Sequence, residues 1–323
     1  MELEERTLGH RPGPDWVKLK IEAIGICGSD IHAYQGSQPF QTYPRVLGHE
    51  LAAVVAEPAE DLKEGQPVTV EPLLRCGRCY PCRQGRYNCC TELKVIGVHS
   101  DGGMCEFIWA PINLVYELPG SLPAHEAAMC EPLAIACQSV SRARITEDDD
   151  VLVIGAGPIG LFILQVARAA GARVFVSEVD PDRLKLARDL GADTTIDASR
   201  EDPGERILEL TGEAPKVVIE AVGSEMTIGQ AIDVVSAAGR VVLVGLYGHK
   251  MAFEPLSLIR KELDVMGSRN SSGMFPNAID LASNGDVDLG RMVTHRFPLE
   301  KAPEVFRKID DGTIKPVKVV LEP

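Results

Sequence analysis

The apolar run Val151-Leu-Val-Ile154, followed at once by Gly155-Ala-Gly157-Pro158-Ile159-Gly160, admits few folds. A short, continuously apolar strand is one buried on both faces, which points to a parallel sheet covered by helices. Alone, the spacing G-x-G-x-x-G is a weak signal. Here it leaves a buried strand, opens a helical pattern over 158–170, and is followed by Glu178 at the end of the next strand pattern, 173–177. A dinucleotide site requires that context: glycines allow the tight turn and a close approach of backbone to a pyrophosphate, and the helix N-terminus faces the phosphates. A glycine-rich turn in some other α/β domain is the competing reading. A carboxylate at Glu178 accepts from the adenosine ribose hydroxyls and repels a 2′-phosphate, so NAD is favoured over NADP, while Arg183 nearby could serve either form.

The alternation continues downstream, with a helical pattern at 181–190 and strand patterns at 216–220, 240–244 and 262–266. Strands separated by helical crossovers are the signature of a parallel sheet. Upstream the character differs. The segment 17–24 alternates apolar and polar residues, 51–56 is a second apolar strand pattern, and Gly, Pro and short β-like runs continue to about Leu118. The segment 124–140 reads as a helix with Glu131-Pro132 inside it. The tail from about Ser268 carries two more helical stretches and a last strand pattern at 317–321.

A chain of 323 residues exceeds the usual single core, so two domains are expected. The net charge of -14 argues against nucleic acid as a partner. No apolar run approaches the ~20 residues that cross a bilayer, and no secretory pattern opens the chain, so a cytoplasmic location is expected.

Nine cysteines then need a reason in a reducing compartment. Cys76, Cys79, Cys82 and Cys90 are spaced to wrap one tetrahedral zinc, and four protein ligands make a closed, structural site. Disulfides are the alternative, disfavoured where thiols stay reduced. Cys89 is then a spare thiol. Cys27 lies elsewhere, in a glycine-bounded turn after a strand. With His49, Glu50 and Glu131 it could hold a second zinc that keeps a position open for water or substrate. Taken singly, each has a plainer reading: a core cysteine, a satisfied His-Glu pair, a helix-surface glutamate. Their joint occurrence with a dinucleotide turn and a zinc lobe favours catalysis.

The motifs Gly25-x-Cys27-Gly-Ser-Asp-x-His32, Gly48-His49-Glu50, the four lobe cysteines, Glu131-Pro132 and Gly155-Ala-Gly-Pro-x-Gly160 occur in order over nearly the whole chain. In them the chain resembles the zinc-dependent medium-chain dehydrogenases, the alcohol and polyol dehydrogenase superfamily. The resemblance implies an α/β protein with a GroES-like β-rich catalytic domain (1–125, completed by 268–323). It also implies a Rossmann NAD-binding domain, a doubly wound parallel six-stranded sheet over 126–267. Two zinc ions are implied, one structural and one catalytic on Cys27 and His49. Glu131 stands where classical alcohol dehydrogenases carry a second cysteine, as in the sorbitol and threonine dehydrogenase branch. The choice between Glu50 and Glu131 as direct ligand stays open.

The implied chemistry is hydride transfer from a carbinol carbon to the nicotinamide, with zinc as Lewis acid on the hydroxyl. Ser29 and then His32 would relay the proton outward. Gly245, Leu246 and Tyr247, together with Ser268 and Arg269, would lie along the nicotinamide half. Further similarity, at 38–49, 95–103 and 266–270, is to L-galactonate and L-gulonate 5-dehydrogenases, which oxidise a secondary hydroxyl of a sugar acid. Arg45 or Arg269 would then grip the carboxylate, because guanidinium is its natural bidentate partner. A neutral polyol dehydrogenase acting on sorbitol, xylitol or an inositol is the alternative, and a non-catalytic zinc and nucleotide binder a remote one. Relatives pair the edge strand near 262–266 across a two-fold, so a homodimer or homotetramer is expected. They also begin with a longer first hairpin, which leaves the completeness of the N-terminal edge open.

Overall fold

The computed structural model describes residues 1–323 except Tyr247, His249 and Phe253, so the expectation for Tyr247 lies outside the described residues. The chain forms two compact units. One comprises 1–131, 275–283 and 289–323, the other 132–274 and 284–288. The changeovers fall at Glu131/Pro132 and Met274/Phe275 instead of 125/126 and 267/268. The first shifts because the short helix Ala124–Ala127 packs on strands of the first unit.

That unit opens with β1 (Trp16–Gly25), β2 (Glu50–Val55), β3 (Pro67–Val70), β4 (Leu73–Leu74), β5 (Lys94–Val95), β6 (Phe107–Pro111) and β7 (Val115–Glu117). The second unit carries β8 (Asp150–Ile154), β9 (Arg173–Glu178), β10 (Thr194–Asp197), β11 (Val217–Glu220), β12 (Arg240–Leu243) and β13 (Asp264–Gly267). The chain then returns to the first unit with β14 (Val293–Pro298) and β15 (Lys318–Glu322). The first sheet runs β14-β15-β1-β2-β3-β7, with β6 paired to β1. β1 is its hub because its alternation buries Val17, Leu19, Ile21 and Ala23. Val17, Leu19 and Ile21 join Leu51, Val68, Phe306 and Leu321 in one core, each large one contributing about 1.5–3 kcal/mol.

The second sheet runs β10-β9-β8-β11-β12-β13, all parallel. Its order reverses between β8 and β11, where ligands bind in open α/β sheets. Leu152, Ile154, Phe175, Val218 and Val241 fill its core. β10 supplies the sixth strand. Its Thr-Thr-Ile-Asp sequence is too short and polar to stand out, yet it pairs in register with β9.

The helical pattern at 124–140 splits into Ala124–Ala127 and Cys130–Ala143. Pro132 lacks an amide hydrogen and fits only the first turn of a helix, so one continuous helix is excluded. The tail holds the helices Phe275–Asn284 and Ala302–Asp310, and also the single turn Leu289–Met292 and β14, which the sequence did not single out.

Candidate active site

The antiparallel register of β1 and β2 sets Gly25 opposite Glu50. The chain leaving β1 therefore carries Cys27 beside the chain entering β2 at His49. A Cβ on Gly25 would overlap the Glu50 carboxylate and come within 2.8 Å of Met129 Cε, so only glycine permits this approach. One ligand atom each from Cys27, His49 and Glu50 lies within 4.8 Å of the others. His49 and Glu50 are 6% and 1% exposed.

Asp30, itself buried, orders the group. Its Oδ2 accepts from the Cys27 amide at 2.9 Å, and Oδ1 lies 3.7 Å from His49 Nδ1. At that distance Asp30 sets its charge beside the Nδ1 side of the ring without a hydrogen bond, and Nε2 is left for a ligand. Nε2 stands 3.5 Å from Ser29 Oγ. His32 lies one turn further along the helix Gly28–Tyr34 and is exposed, so Ser29 and His32 share a face leading outward.

Lys318 is the residue the sequence reading missed. It is 3% exposed, and its ammonium donates to Ile26 O at 3.0 Å, to Glu50 Oε1 at 2.5 Å and to Oε2. The signal was a lysine inside an apolar strand. Burial alone would lower the Lys318 pKa, but Glu50 and Cys27 outweigh it and raise it.

Glu131 is also buried, though it does not join the compact three-residue group, and its Oε2 has no hydrogen-bond partner. Burial pushes its carboxyl up to about 7, with His49 opposing and Glu50 adding. Burial works against a charged His49, yet Asp30 and Cys27 hold it well above the ordinary histidine value. One thiol, one imidazole, one clamped carboxylate and one carboxylate with an orphaned oxygen form a donor set suited to zinc. The atoms that carry the surplus protons are those a cation would displace them from.

In the lobe, Cys79 and Cys82 sulfurs are 3.4 Å apart, and Cys90 Sγ accepts from the Cys76 and Glu92 amides, each at 3.4 Å. All four thiols form one metal-sized group. Amide donors from Thr91 and Cys82 draw Cys79 down to about 6, whereas desolvation and its sulfur neighbours push Cys82 up to about 12. The lobe is tethered through buried Glu71, which accepts from Tyr87 Oη at 2.8 Å and Tyr116 Oη at 3.3 Å. Arg75 stacks 3.9 Å over the Tyr87 ring. Little apolar packing holds the lobe otherwise: within 76–90 only Asn88 and Cys90 are buried. Cys82→Ser is therefore expected to lower bound zinc by about one per chain and to open the lobe to tryptic cleavage at Arg78, Arg83 or Arg86. Metal analysis and limited proteolysis read both.

In the second unit Gly155 has φ +98° and a Cβ there would come within 2.5 Å of Val222 Cγ2; a Cβ on Gly160 would overlap the Gly155 carbonyl. Gly157 caps the helix Pro158–Ala169 and has open space where a Cβ would stand. A pyrophosphate fits such a cradle. Glu178 turns toward the loop: Oε2 accepts from Ala156 N at 2.9 Å, Oε1 from Val179 N at 2.7 Å and Asp180 N at 3.2 Å. Arg183 stands 3.9 Å away. Ser268 Oγ lies 3.3 Å from Ser139 Oγ, and Leu246 and Arg269 are exposed. Arg45 is already engaged, donating to Asp101 Oδ1 at 3.2 Å and Thr42 Oγ1 at 2.8 Å.

Residues 13–120 match the alcohol dehydrogenase GroES-like domain and 158–284 the zinc-binding dehydrogenase family. The L-galactonate-5-dehydrogenase of Escherichia coli K12 is 37% identical over 302 residues, covering 92% of this chain and 88% of the relative. The sorbitol dehydrogenase of Ovis aries is 36% identical, covering 97% and 91%. The chain belongs to the zinc-type alcohol dehydrogenase family. It is an oxidoreductase acting on CH–OH groups, with zinc and a nicotinamide dinucleotide as cofactors. A Sinorhizobium meliloti 1021 protein described as a zinc-binding dehydrogenase and solved with NADP superposes on this dehydrogenase with TM-score 0.91 and 36% identity, over 97% of this chain and 93% of that one. An Escherichia coli CFT073 alcohol dehydrogenase solved with NADH gives 0.90 and 33%, over 100% and 95%. Among the described residues no helix is long and apolar enough to cross a membrane.

Proposed function

We propose that this dehydrogenase oxidises a secondary hydroxyl of a sugar acid, an aldonate such as L-galactonate or L-gulonate, to a keto-acid while reducing NAD. The observation that carries the chemistry is the group of half-buried Cys27 with buried His49 and Glu50, together with the unpartnered oxygen of Glu131. The substrate class is supported by two relatives, the L-galactonate-5-dehydrogenase and the L-idonate 5-dehydrogenase of Vitis vinifera, 35% identical over 298 residues.

Cys27, His49 and Glu131 are the ligands we assign to the catalytic zinc, because Lys318 already occupies both oxygens of Glu50. Cys76, Cys79, Cys82 and Cys90 hold the structural zinc. When bound, the catalytic zinc supplies a Lewis acid that lowers the pKa of the substrate hydroxyl. Asp30 sets a carboxylate beside the His49 ring, and Lys318 pairs with Glu50. Ser29 takes the hydroxyl proton and hands it toward exposed His32. Gly155, Gly157, Pro158, Ile159 and Gly160 form the pyrophosphate cradle, and Glu178 disfavours a 2′-phosphate. We place the enzyme in the cytoplasm, and as a homodimer or homotetramer built on edge strand β13, where Val265 is exposed.

A neutral polyol is the second reading, favoured by the commitment of Arg45 to Asp101 and Thr42. NAD reduction across L-galactonate, L-gulonate, sorbitol, xylitol and myo-inositol separates the two. The proposal expects the highest kcat/KM with an aldonate, and a sorbitol preference would sink it.

Zinc and protons compete for His49 and Glu131. Both groups hold protons at higher pH than usual, Glu131 up to about 7, so the apparent affinity of the catalytic site for zinc should rise with pH. Zinc titrations of the metal-free protein between pH 5.5 and 8.5, with proton release recorded, would test the sign.

A further inference from the structure

Glu220, the last residue of β11, is fully buried at the point where the strand order of the second sheet reverses. Its Oε1 accepts three hydrogen bonds: from Val222 N at 2.8 Å, Gly223 N at 2.7 Å and Thr227 Oγ1 at 2.8 Å. Its main-chain oxygen accepts from Val244 N at 2.9 Å and Gly245 N at 3.1 Å. One residue thus ties down two consecutive loops, the turn after β11 and the turn after β12.

Those loops interlock with the glycine-rich turn after β8. Gly223 has φ +81°, and a Cβ there would come within 2.8 Å of the Leu246 backbone; one on Gly245 would overlap the Gly223 amide. Val222, on the same turn, abuts Gly155. The three turns are therefore in close contact at Gly155, Gly223 and Gly245. An acceptor is needed at Glu220 because two amides of the turn after β11 and the Thr227 hydroxyl, in the helix Glu225–Val234, all point to one spot.

We propose that Glu220 is a positioning residue for the nicotinamide cofactor, holding the turns at Val222-Gly223 and Gly245-Leu246 against the Gly155 turn. The inference rests on the cofactor site assigned above. Its reach beyond that assignment is that a buried carboxylate with no role in hydride transfer sets dinucleotide affinity. Gln can supply the same acceptor oxygen, whereas Ala cannot.

NADH binding to the full-length, zinc-loaded protein, followed by nicotinamide fluorescence, tests this. Glu220→Ala should weaken NADH binding about tenfold or more, Thr227→Val a few-fold, and Glu220→Gln less than about threefold, in proportion to the acceptor bonds lost. Zinc content should stay at about two per chain in all three. An alanine variant that binds NADH like the wild type would overturn the inference, as would a glutamine variant as weak as the alanine one. Should Glu220→Ala not fold, unchanged affinity in Thr227→Val overturns it. Failure of the wild type to bind NADH removes the cofactor assignment itself, a different result from an indifferent variant.

Discussion

Lys318→Met is expected to destabilise the protein by about 3–5 kcal/mol, the cost of leaving one member of a buried ion pair without its partner. Glu50 is 1% exposed, and Lys318 Nζ contacts both of its oxygens. With the ammonium gone, nothing described replaces it on Glu50, and the Ile26 carbonyl also loses its donor. The double variant Glu50→Gln with Lys318→Met should be less destabilised than the sum of the two single ones, because removing both charges removes the desolvation penalty together with the attraction. The pH sign follows from the raised lysine pKa. The stabilisation is fully present below the ordinary lysine value of 10.5 and is lost only as pH rises through the higher folded one. Urea unfolding at pH 7 and at about pH 11 or above would show it, and equal stability of Lys318→Met and wild type at pH 7 would refute the pair's role.

The second large effect concerns metal. Cys27→Ala should lose the catalytic zinc and keep the lobe zinc, so bound zinc falls from about two per chain to about one. Activity should fall by about a thousandfold or more, since a Lewis acid contributes several kcal/mol to the transition state and each 1.36 kcal/mol is a factor of ten. Cys82→Ser loses the other ion, and the pair of variants assigns each zinc to its ligands. A Cys27→Ala protein that retained two zincs and full activity would remove Cys27 from the site.

Much of this was legible locally. The glycines at 155, 157 and 160 follow a strand and open a helix, and no tertiary information is needed to read that. The four lobe cysteines lie within one short stretch, so their spacing alone predicts a shared cation. Gly25 and Gly48 bracket Cys27 and His49 in motifs that could be recognised one at a time. The strand at 194–197 was not legible, because its polar residues become a strand only by pairing with β9. The break at Ala128-Met129 was legible in principle through Pro132, whose missing amide demands the first turn of a helix.

By itself the sequence determined the chemistry available: thiols, an imidazole and carboxylates for zinc, a glycine turn for a dinucleotide, and the alternation that makes one sheet parallel. Those features are local, set by residue type and spacing over a few positions. Only the tertiary structure decided which carboxylate is engaged. Lys318 and Glu50 are separated by 268 residues in sequence and meet because β15 and β2 flank β1. The same holds for Glu220, an ordinary strand-end glutamate until two amides of the following turn and the Thr227 hydroxyl of the next helix converge on one oxygen. Burial and charge pairing depend on strands brought together from opposite ends of the chain, so no local pattern can encode them.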